Sequence, residues 1–178
     1  MKKLILASAL ALTSIGVQAQ TYGEIGYTST SFKTVDEGAT FKASPSAIRV
    51  ILGYELSPNL AVEGMAAFGM SGATVKNTGG SSTGAKLKID NAMGVYLKPK
   101  VKLNDAIEIF GRVGYARVKG TASGSGISET ASQNGFSYGA GLSYSINPTT
   151  SLNVDYMQYT SKDGGTVNGF TFGVGYNF

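Results

Sequence analysis

Apolar residues recur at every second position along most of this chain, and that feature limits the possible folds more than any other. Successive side chains of a β-strand point to opposite faces, so a period of two specifies strands with one apolar face. Six segments show it clearly. Residues 47–56 set Ile48, Val50, Leu52, Tyr54 and Leu56 against Ala47, Arg49, Ile51, Gly53 and Glu55. Residues 60–70 set Leu60, Val62, Ala66, Phe68 and Met70 against Ala61, Glu63, Met65 and Gly69. Residues 107–115 set Ile107, Ile109, Val113 and Tyr115 against Glu108, Phe110, Arg112 and Gly114. The same holds for 136–146, for 152–156 around Asn153 and Asp155, and for 170–178, where Phe170, Phe172, Val174, Tyr176 and Phe178 share one face. Two noisier segments complete the count at eight. In 21–28, Ile25 and Tyr27 oppose Glu24 and Gly26. In 87–101, Ile89, Met93, Val95 and Leu97 oppose Ala92, Gly94 and Tyr96.

The connections alternate short and long. Ser57-Pro58-Asn59, Asn104-Asp105 and Asn147-Pro148-Thr149 carry the chemistry of tight reversals. Residues 33–46, 71–86 and 119–134 are longer polar links rich in Gly, Ser and Thr, with a shorter one at 161–166. This rhythm predicts an all-β fold: an eight-stranded antiparallel up-and-down transmembrane β-barrel, with tight periplasmic turns and longer extracellular loops. A soluble barrel would alternate equally well, so side-chain size has to assign the faces. One face carries Gly, Ser and Ala with a few long charged residues, which suits the narrow lumen of eight strands. The other carries Ile, Leu, Val, Phe and Tyr. A water-facing surface of mainly Gly, Ser and Ala would be unusually poor in charge, so the apolar face is assigned to lipid.

Residues 1–19 read as a signal peptide, with 20–178 as the barrel domain. Lys2 and Lys3 precede a mostly apolar stretch at 4–17, and Val17-Gln18-Ala19 is a small-residue cleavage site, placing the cut between Ala19 and Gln20. The apolar stretch is too short to span a hydrocarbon core of about 30 Å as a helix. The chain has 15 basic and 11 acidic residues. Without Lys2 and Lys3 the excess of four falls to two, which gives no footprint for nucleic acid.

There is no Cys, no His and no Trp. An exported chain without Cys has no disulfide framework. Losing His and Cys together removes the commonest general base, the thiol nucleophile and the usual zinc ligands. The reading is therefore of a non-enzyme with no cofactor and no metal. The run Gly79-Gly80-Ser81-Ser82-Thr83-Gly84-Ala85-Lys86 departs from a phosphate-binding loop because Ala85 stands where Lys must follow the glycine.

Two stretches carry a family resemblance. Gly53-Tyr54-Glu55-Leu56-Ser57-Pro58-Asn59-Leu60-Ala61-Val62-Glu63-Gly64 resembles the second hairpin of small outer-membrane barrels of the OmpX/Ail/opacity type. The ending Val174-Gly175-Tyr176-Asn177-Phe178 is similar to the C-terminal strand by which outer-membrane barrels are recognised for insertion. The resemblance implies a Gram-negative outer-membrane location at the cell surface. It implies passage by periplasmic chaperones to the barrel-assembly machinery, and roles in adhesion, serum resistance or envelope integrity. The expected form is a monomer.

The candidate residues follow. Glu24, Arg49, Glu55, Glu63, Glu108, Arg112 and Asp155 fall on the inward face. Opposite charges in a poorly hydrated lumen should pair, forming either an internal plug or, in the alternative reading, the gate of a narrow passive porin-like channel. Phe170, Phe172, Val174, Tyr176 and Phe178 are the candidate insertion signal. Lys98, Lys100 and Lys102 read as a solvated periplasmic rim. Lys76, Lys86 and Lys88 at the outer rim could meet lipopolysaccharide phosphates by charge attraction. A host or surface ligand would engage the loops at 33–46, 71–86 and 119–134.

Overall fold

The computed structural model describes residues 21–36, 39–77, 80–124, 127–162 and 164–178; the leader and its cleavage site lie outside them. The described chain is entirely β. In order it forms β1 (Thr21–Asp36), β2 (Ala39–Ala43), β3 (Ser46–Ser57), β4 (Leu60–Ser71), β5 (Ala73–Lys76), β6 (Ser82–Lys102), β7 (Ile107–Gly124), β8 (Ile127–Ser145), β9 (Thr150–Lys162) and β10 (Gly165–Asn177). Eight of these hydrogen-bond in a closed antiparallel ring: β1, β3, β4, β6, β7, β8, β9 and β10, with β10 returning to β1. Thirteen registered residue pairs, from Tyr22↔Asn177 to Thr34↔Gly165, close the ring.

β2 and β5 are upward continuations of β3 and β4. Pro45 interrupts the first because it has no N–H to give to a ladder. Its carbonyl accepts hydrogen bonds from the Thr30 N–H at 3.0 Å and the Thr30 hydroxyl at 2.5 Å. At the turn end, asparagine side chains replace missing backbone partners. Asn104 Oδ1 accepts from the N–H groups of Ala106 and Ile107, and Asn147 Oδ1 from those of Thr149 and Thr150. These Asx turns explain the tightness of the reversals.

At the other end the polar links are shorter than the sequence suggested. β1, β6, β7 and β8 run far into them, and β7 pairs with β8 without a break up to Gly124↔Ile127. Thr, Ser and Gly alternation in a two-stranded ribbon has no apolar face to signal it, so the strands went unread there. That hairpin rises nine residue pairs beyond Tyr115↔Phe136, its last outward aromatic pair.

The burial pattern is the reverse of a water-soluble barrel. Ile25, Leu52, Val95, Leu142 and Phe172 stand 52–64 % exposed on the outside, while charged side chains lie buried within. A band of this composition needs hydrocarbon around it, and the closed ring leaves no unpaired strand edge within the band. One expected outward residue belongs inside. Ile89 is 3 % exposed and lines the lumen. A bulge between Ile89 and Asn91 in the β6–β7 ladder inserts Asp90 as an extra residue, and one extra residue reverses the facing of everything beyond it.

Leu52 is the central one of five outward side chains on β3. Leu52→Arg should destabilise the barrel in a bilayer by about 2–4 kcal/mol, whereas Ser31→Arg, above the band, should stay within about 0.5 kcal/mol. Urea titration in vesicles, following the folded band on unheated gels, measures both.

Candidate functional site

The lumen contains two chemically different layers and an open vestibule. The lower layer is ionic. Six charged side chains from six strands meet there: Glu24 on β1, Arg49 on β3, Glu63 on β4, Lys98 on β6, Arg112 on β7 and Asp155 on β9. All are nearly inaccessible to solvent. Arg49 spans to Glu24 (Nη2–Oε1, 2.6 Å) and clasps both oxygens of Asp155 through its two terminal nitrogens. Arg112 donates from Nε to Glu63 Oε2 at 2.6 Å, from Nη1 to Asp155 Oδ2 at 2.7 Å and from Nη2 to Glu24 Oε2 at 2.9 Å. Each guanidinium thus bridges carboxylates on different strands, using the planar fork that suits Arg to this role.

Neutral groups complete the shell. Tyr22 donates its hydroxyl to Glu63 Oε1 at 2.6 Å. Asn153 Nδ2 donates to Glu24 Oε2 at 3.2 Å, and Arg49 Nη1 to the Tyr159 hydroxyl at 3.3 Å. Three carboxylates face three cations, so the cluster is neutral. Arg49 Nε is buried with no partner.

Lys98 corrects a sequence-based expectation. It is 5 % exposed, not a solvated rim residue. Its Nζ lies 3.6 Å from Glu63 Oε1 and over the rings of Phe110 (4.5 Å to the centroid) and Tyr22 (4.8 Å). Arg112 also stacks on Phe110, at 4.6 Å, so this aromatic ring supports two cations. The clue was available: Lys98 shares the phase of Ala92, Gly94 and Tyr96. Lys100 follows it inward and pairs with Glu55 at 2.5 Å and Glu108 at 3.6 Å, below the main cluster. Lys102 alone of the three is exposed.

Inward glycines make room for the inward rings. A Cβ on Gly53 would fall 2.1 Å from Tyr22 Cζ, and one on Gly141 would fall 2.5 Å from Phe110 Cζ. Any side chain at either position would displace a ring that holds part of the network.

The layer toward the long hairpins is apolar. Ala47, Ala67, Ile89, Ala92, Val118, Tyr159 and Val167 close the bore, with Phe32 packed against them. A void of about 20 Å³ lies between this layer and Thr28 and Thr30, room for about one water molecule. At the turn end the lumen opens into a polar vestibule of about 510 Å³ lined by Glu55, Lys100, Glu108, Asn153 and their neighbours.

Of the seven charges assigned inward from sequence, Glu24, Arg49, Glu63, Arg112 and Asp155 lie in the main cluster, while Glu55 and Glu108 meet through Lys100. Phe170, Phe172, Val174, Tyr176 and Phe178 all point outward along the closing strand and its end, with Tyr176 and Phe178 in edge contact at 5.5 Å. Gly80 and Gly84 sit at positive φ of +77° where β5 turns into β6, so the glycine-rich run is a hairpin and not a strand-to-helix turn. Among the described residues, no group of three His, Cys, Asp or Glu is placed to hold a metal ion.

Known proteins share this architecture. The family model for the outer membrane protein beta-barrel domain matches residues 4–178. The attachment invasion locus protein of Yersinia enterocolitica is 29 % identical over 184 residues, covering all of both chains. The crystal structure of Ail, the attachment invasion locus protein of Yersinia pestis, in complex with the heparin analogue sucrose octasulfate superposes with a TM-score of 0.63. It is 22 % identical and covers 91 % of this chain and all of that one. Neisserial surface protein A superposes at 0.68 with 14 % identity and the same coverage.

Arg112 touches all three carboxylates of the cluster. Arg112→Met should therefore cost about 3–5 kcal/mol, because it leaves buried charge uncompensated. The folded band should disappear at correspondingly lower urea on unheated gels, with no change in the assembled strand content by circular dichroism before unfolding.

Proposed function

The chain belongs to the family of outer membrane proteins built on a β-barrel domain, and from that premise we propose that it is a non-catalytic surface-attachment protein whose lumen is a structural plug. Its location is the outer membrane of a Gram-negative cell. The observation that carries the attachment reading is the β7–β8 hairpin, which stands nine residue pairs beyond its last outward aromatics and presents Arg117 and Lys119 to solvent. A strand rises about 3.3 Å per residue and tilts by about 40° in such barrels, so the hairpin reaches roughly 20 Å above the apolar band. The relatives' name supports attachment as the role. The complex of one relative with a heparin analogue makes sulfated glycans the first ligand class to try.

The remaining assignments are part of the same proposal. The leader is removed between Ala19 and Gln20. Periplasmic chaperones then deliver the chain to the barrel-assembly machinery, which reads Phe170, Phe172, Val174, Tyr176 and Phe178. The assembled barrel works as a monomer. The network of Glu24, Arg49, Glu55, Glu63, Glu108, Arg112 and Asp155 serves stability, since an ionic layer capped by an apolar one leaves no continuous aqueous path. The absence of His and Cys and the engagement of the buried carboxylates by cations favour a role without catalysis.

Replacing residues 120–131 by an Asn-Gly turn, together with Arg117→Ser and Lys119→Ser, keeps the apolar band and the lumen while removing the projecting hairpin and its two cations. Cells displaying this variant should lose most of their attachment to sulfated-glycan surfaces while the barrel remains heat-modifiable on gels. Undiminished attachment would refute the hairpin as the binding element. Refolded protein in planar bilayers should give no discrete conductance steps, and regular steps would revive the channel reading.

A further inference from the structure

At the end of the barrel away from the long hairpins, the lumen widens into the polar vestibule of about 510 Å³. The short turns of such barrels face the periplasm, so the vestibule opens there. Tyr22, Lys98 and Asn153 of the ionic layer reach into it. The strand ladders place two charged side chains at one level of its wall. Glu55 on β3 is registered opposite Ala61 on β4, and Ala61 is registered opposite Lys98 on β6. Registered residues project to the same face, so all three point into the lumen. Ala61 contributes only a methyl group, which leaves a gap between the two long side chains. Strands lie about 4.8 Å apart, so roughly 10 Å separates the backbones of Glu55 and Lys98.

Both groups have bonding capacity left over. Lys98 is 5 % exposed, and among the described residues its ammonium makes no hydrogen bond. The carboxylate oxygen nearest to it, Glu63 Oε1, is 3.6 Å away, beyond hydrogen-bond reach. The rings of Tyr22 and Phe110 cover two of its sides, and an ammonium has three donors to place. Glu55 is half satisfied. Its Oε1 accepts from Lys100 at 2.5 Å, while its Oε2 is enclosed and has no hydrogen-bond partner. The carboxyl torsion is soft, so either oxygen can be turned to the cavity that Glu55 lines. Lys100 is shared with Glu108 at 3.6 Å, so these three side chains carry one uncompensated negative charge. Poorly solvated charges in this condition call for partners of opposite sign.

These conditions select the ligand. A bare anion would meet the excess negative charge of Glu55, Lys100 and Glu108. A metal ion would be repelled by Lys98, and among the described residues no group of three His, Cys, Asp or Glu is placed to hold one. We propose that the vestibule binds a small zwitterion, the head group of an α-amino acid, with its ammonium on Glu55 and its carboxylate on Lys98. Hydroxyl groups from Ser143 and Ser145 line the same cavity and supply neutral donors beside the carboxylate. Two sources present this head group to the periplasmic face: free amino acids, and the uncross-linked stem peptides of the cell wall. The site lies at the opposite end of the barrel from the β7–β8 hairpin, so it stands whether or not that hairpin attaches to glycans.

The test uses the full-length refolded barrel, isotope-labelled, in phosphatidylcholine nanodiscs. Amide signals are followed by NMR during titration with meso-diaminopimelate, which carries the zwitterionic head group at both ends. Saturable shifts should appear at Glu55, Lys98 and Ser143 and be absent from the β7–β8 hairpin. Glycine should give the same pattern. N-acetylglycine, which lacks the ammonium, and glycinamide, which lacks the carboxylate, should each bind about tenfold more weakly or worse, because a hydrogen bond to a charged group contributes at least that factor. Glu55→Gln should weaken diaminopimelate by a similar factor while the folded band on unheated gels stays unchanged. Lys98→Met should do the same, and Glu55→Gln, which lies outside the main cluster, decides alone if the lysine variant does not refold. A soluble muropeptide with a free stem that binds as tightly as diaminopimelate, or more tightly, assigns the cell wall as the source; one that fails to bind where diaminopimelate does assigns the free amino acids. No saturable shift from any zwitterion, equal affinity for glycine and its two blocked forms, or undiminished affinity in Glu55→Gln would overturn the proposal.

Discussion

Everything in this barrel depends on the ladder between β1 and β10. Hydrocarbon offers no partner to a peptide N–H or C=O, and each unpaired group would cost several kcal/mol. Thirteen pairs between the first and last strands remove both edges at once. Once the ring is closed, the usual logic of burial inverts. The outside is free to be apolar, and the bulk of the hydrophobic side chains move there. The inside must be filled by what remains, which is small residues, a few rings and the charges. The glycines opposite Tyr22 and Phe110 belong to this arrangement, because a narrow bore accepts a ring only where the facing wall lacks a side chain.

The ionic layer is the second consequence. Buried ion pairs are often no better for stability than apolar packing of the same shape, so the cluster is poorly explained as a simple source of stabilisation. Its value lies in geometry. Arg112 reaches carboxylates on β1, β4 and β9, and Arg49 reaches β1 and β9 from β3. These bonds cross the bore and fix which strand faces which. The apolar layer above, built around Ile89, Val118 and Tyr159, is generic in comparison and would tolerate repacking.

The sequence made the strands legible wherever lipid lay on one side, because the bilayer imposes a strict apolar phase. Residues 47–56, 107–115 and 170–178 fold in the phase that their pattern dictates. Legibility ended where that constraint ended. Above the band, β7 and β8 continue through Thr, Ser and Gly with no apolar signal, and the sequence reading assigned loops there. Ile89 reads as outward because a single bulge residue, Asp90, is invisible to periodicity. The inward charges were legible as a set. Their pairing was not, since Arg49–Asp155 and Arg112–Glu24 connect strands far apart in sequence, and the stagger of the barrel decides which meet. Lys98 reads as a rim residue for a different reason: it lies close to a turn, and only its phase on β6 marks it as inward.

The cross-bore network also bears on how the chain must assemble. Glu24–Arg49 and Glu63–Lys98 join neighbouring strands of the ring, but Asp155, which both arginines share, comes with β9, the second-to-last strand. A partly inserted sheet lacking β9 would carry Arg49 and Arg112 with Glu24 and Glu63 but without that shared partner, in a medium that penalises incompletely paired charge. A sheet of that kind lacks contacts that the finished ring has. Ring closure thus brings one carboxylate to both arginines at once, so the residues that fill the lumen also favour the complete ring over a partly closed one.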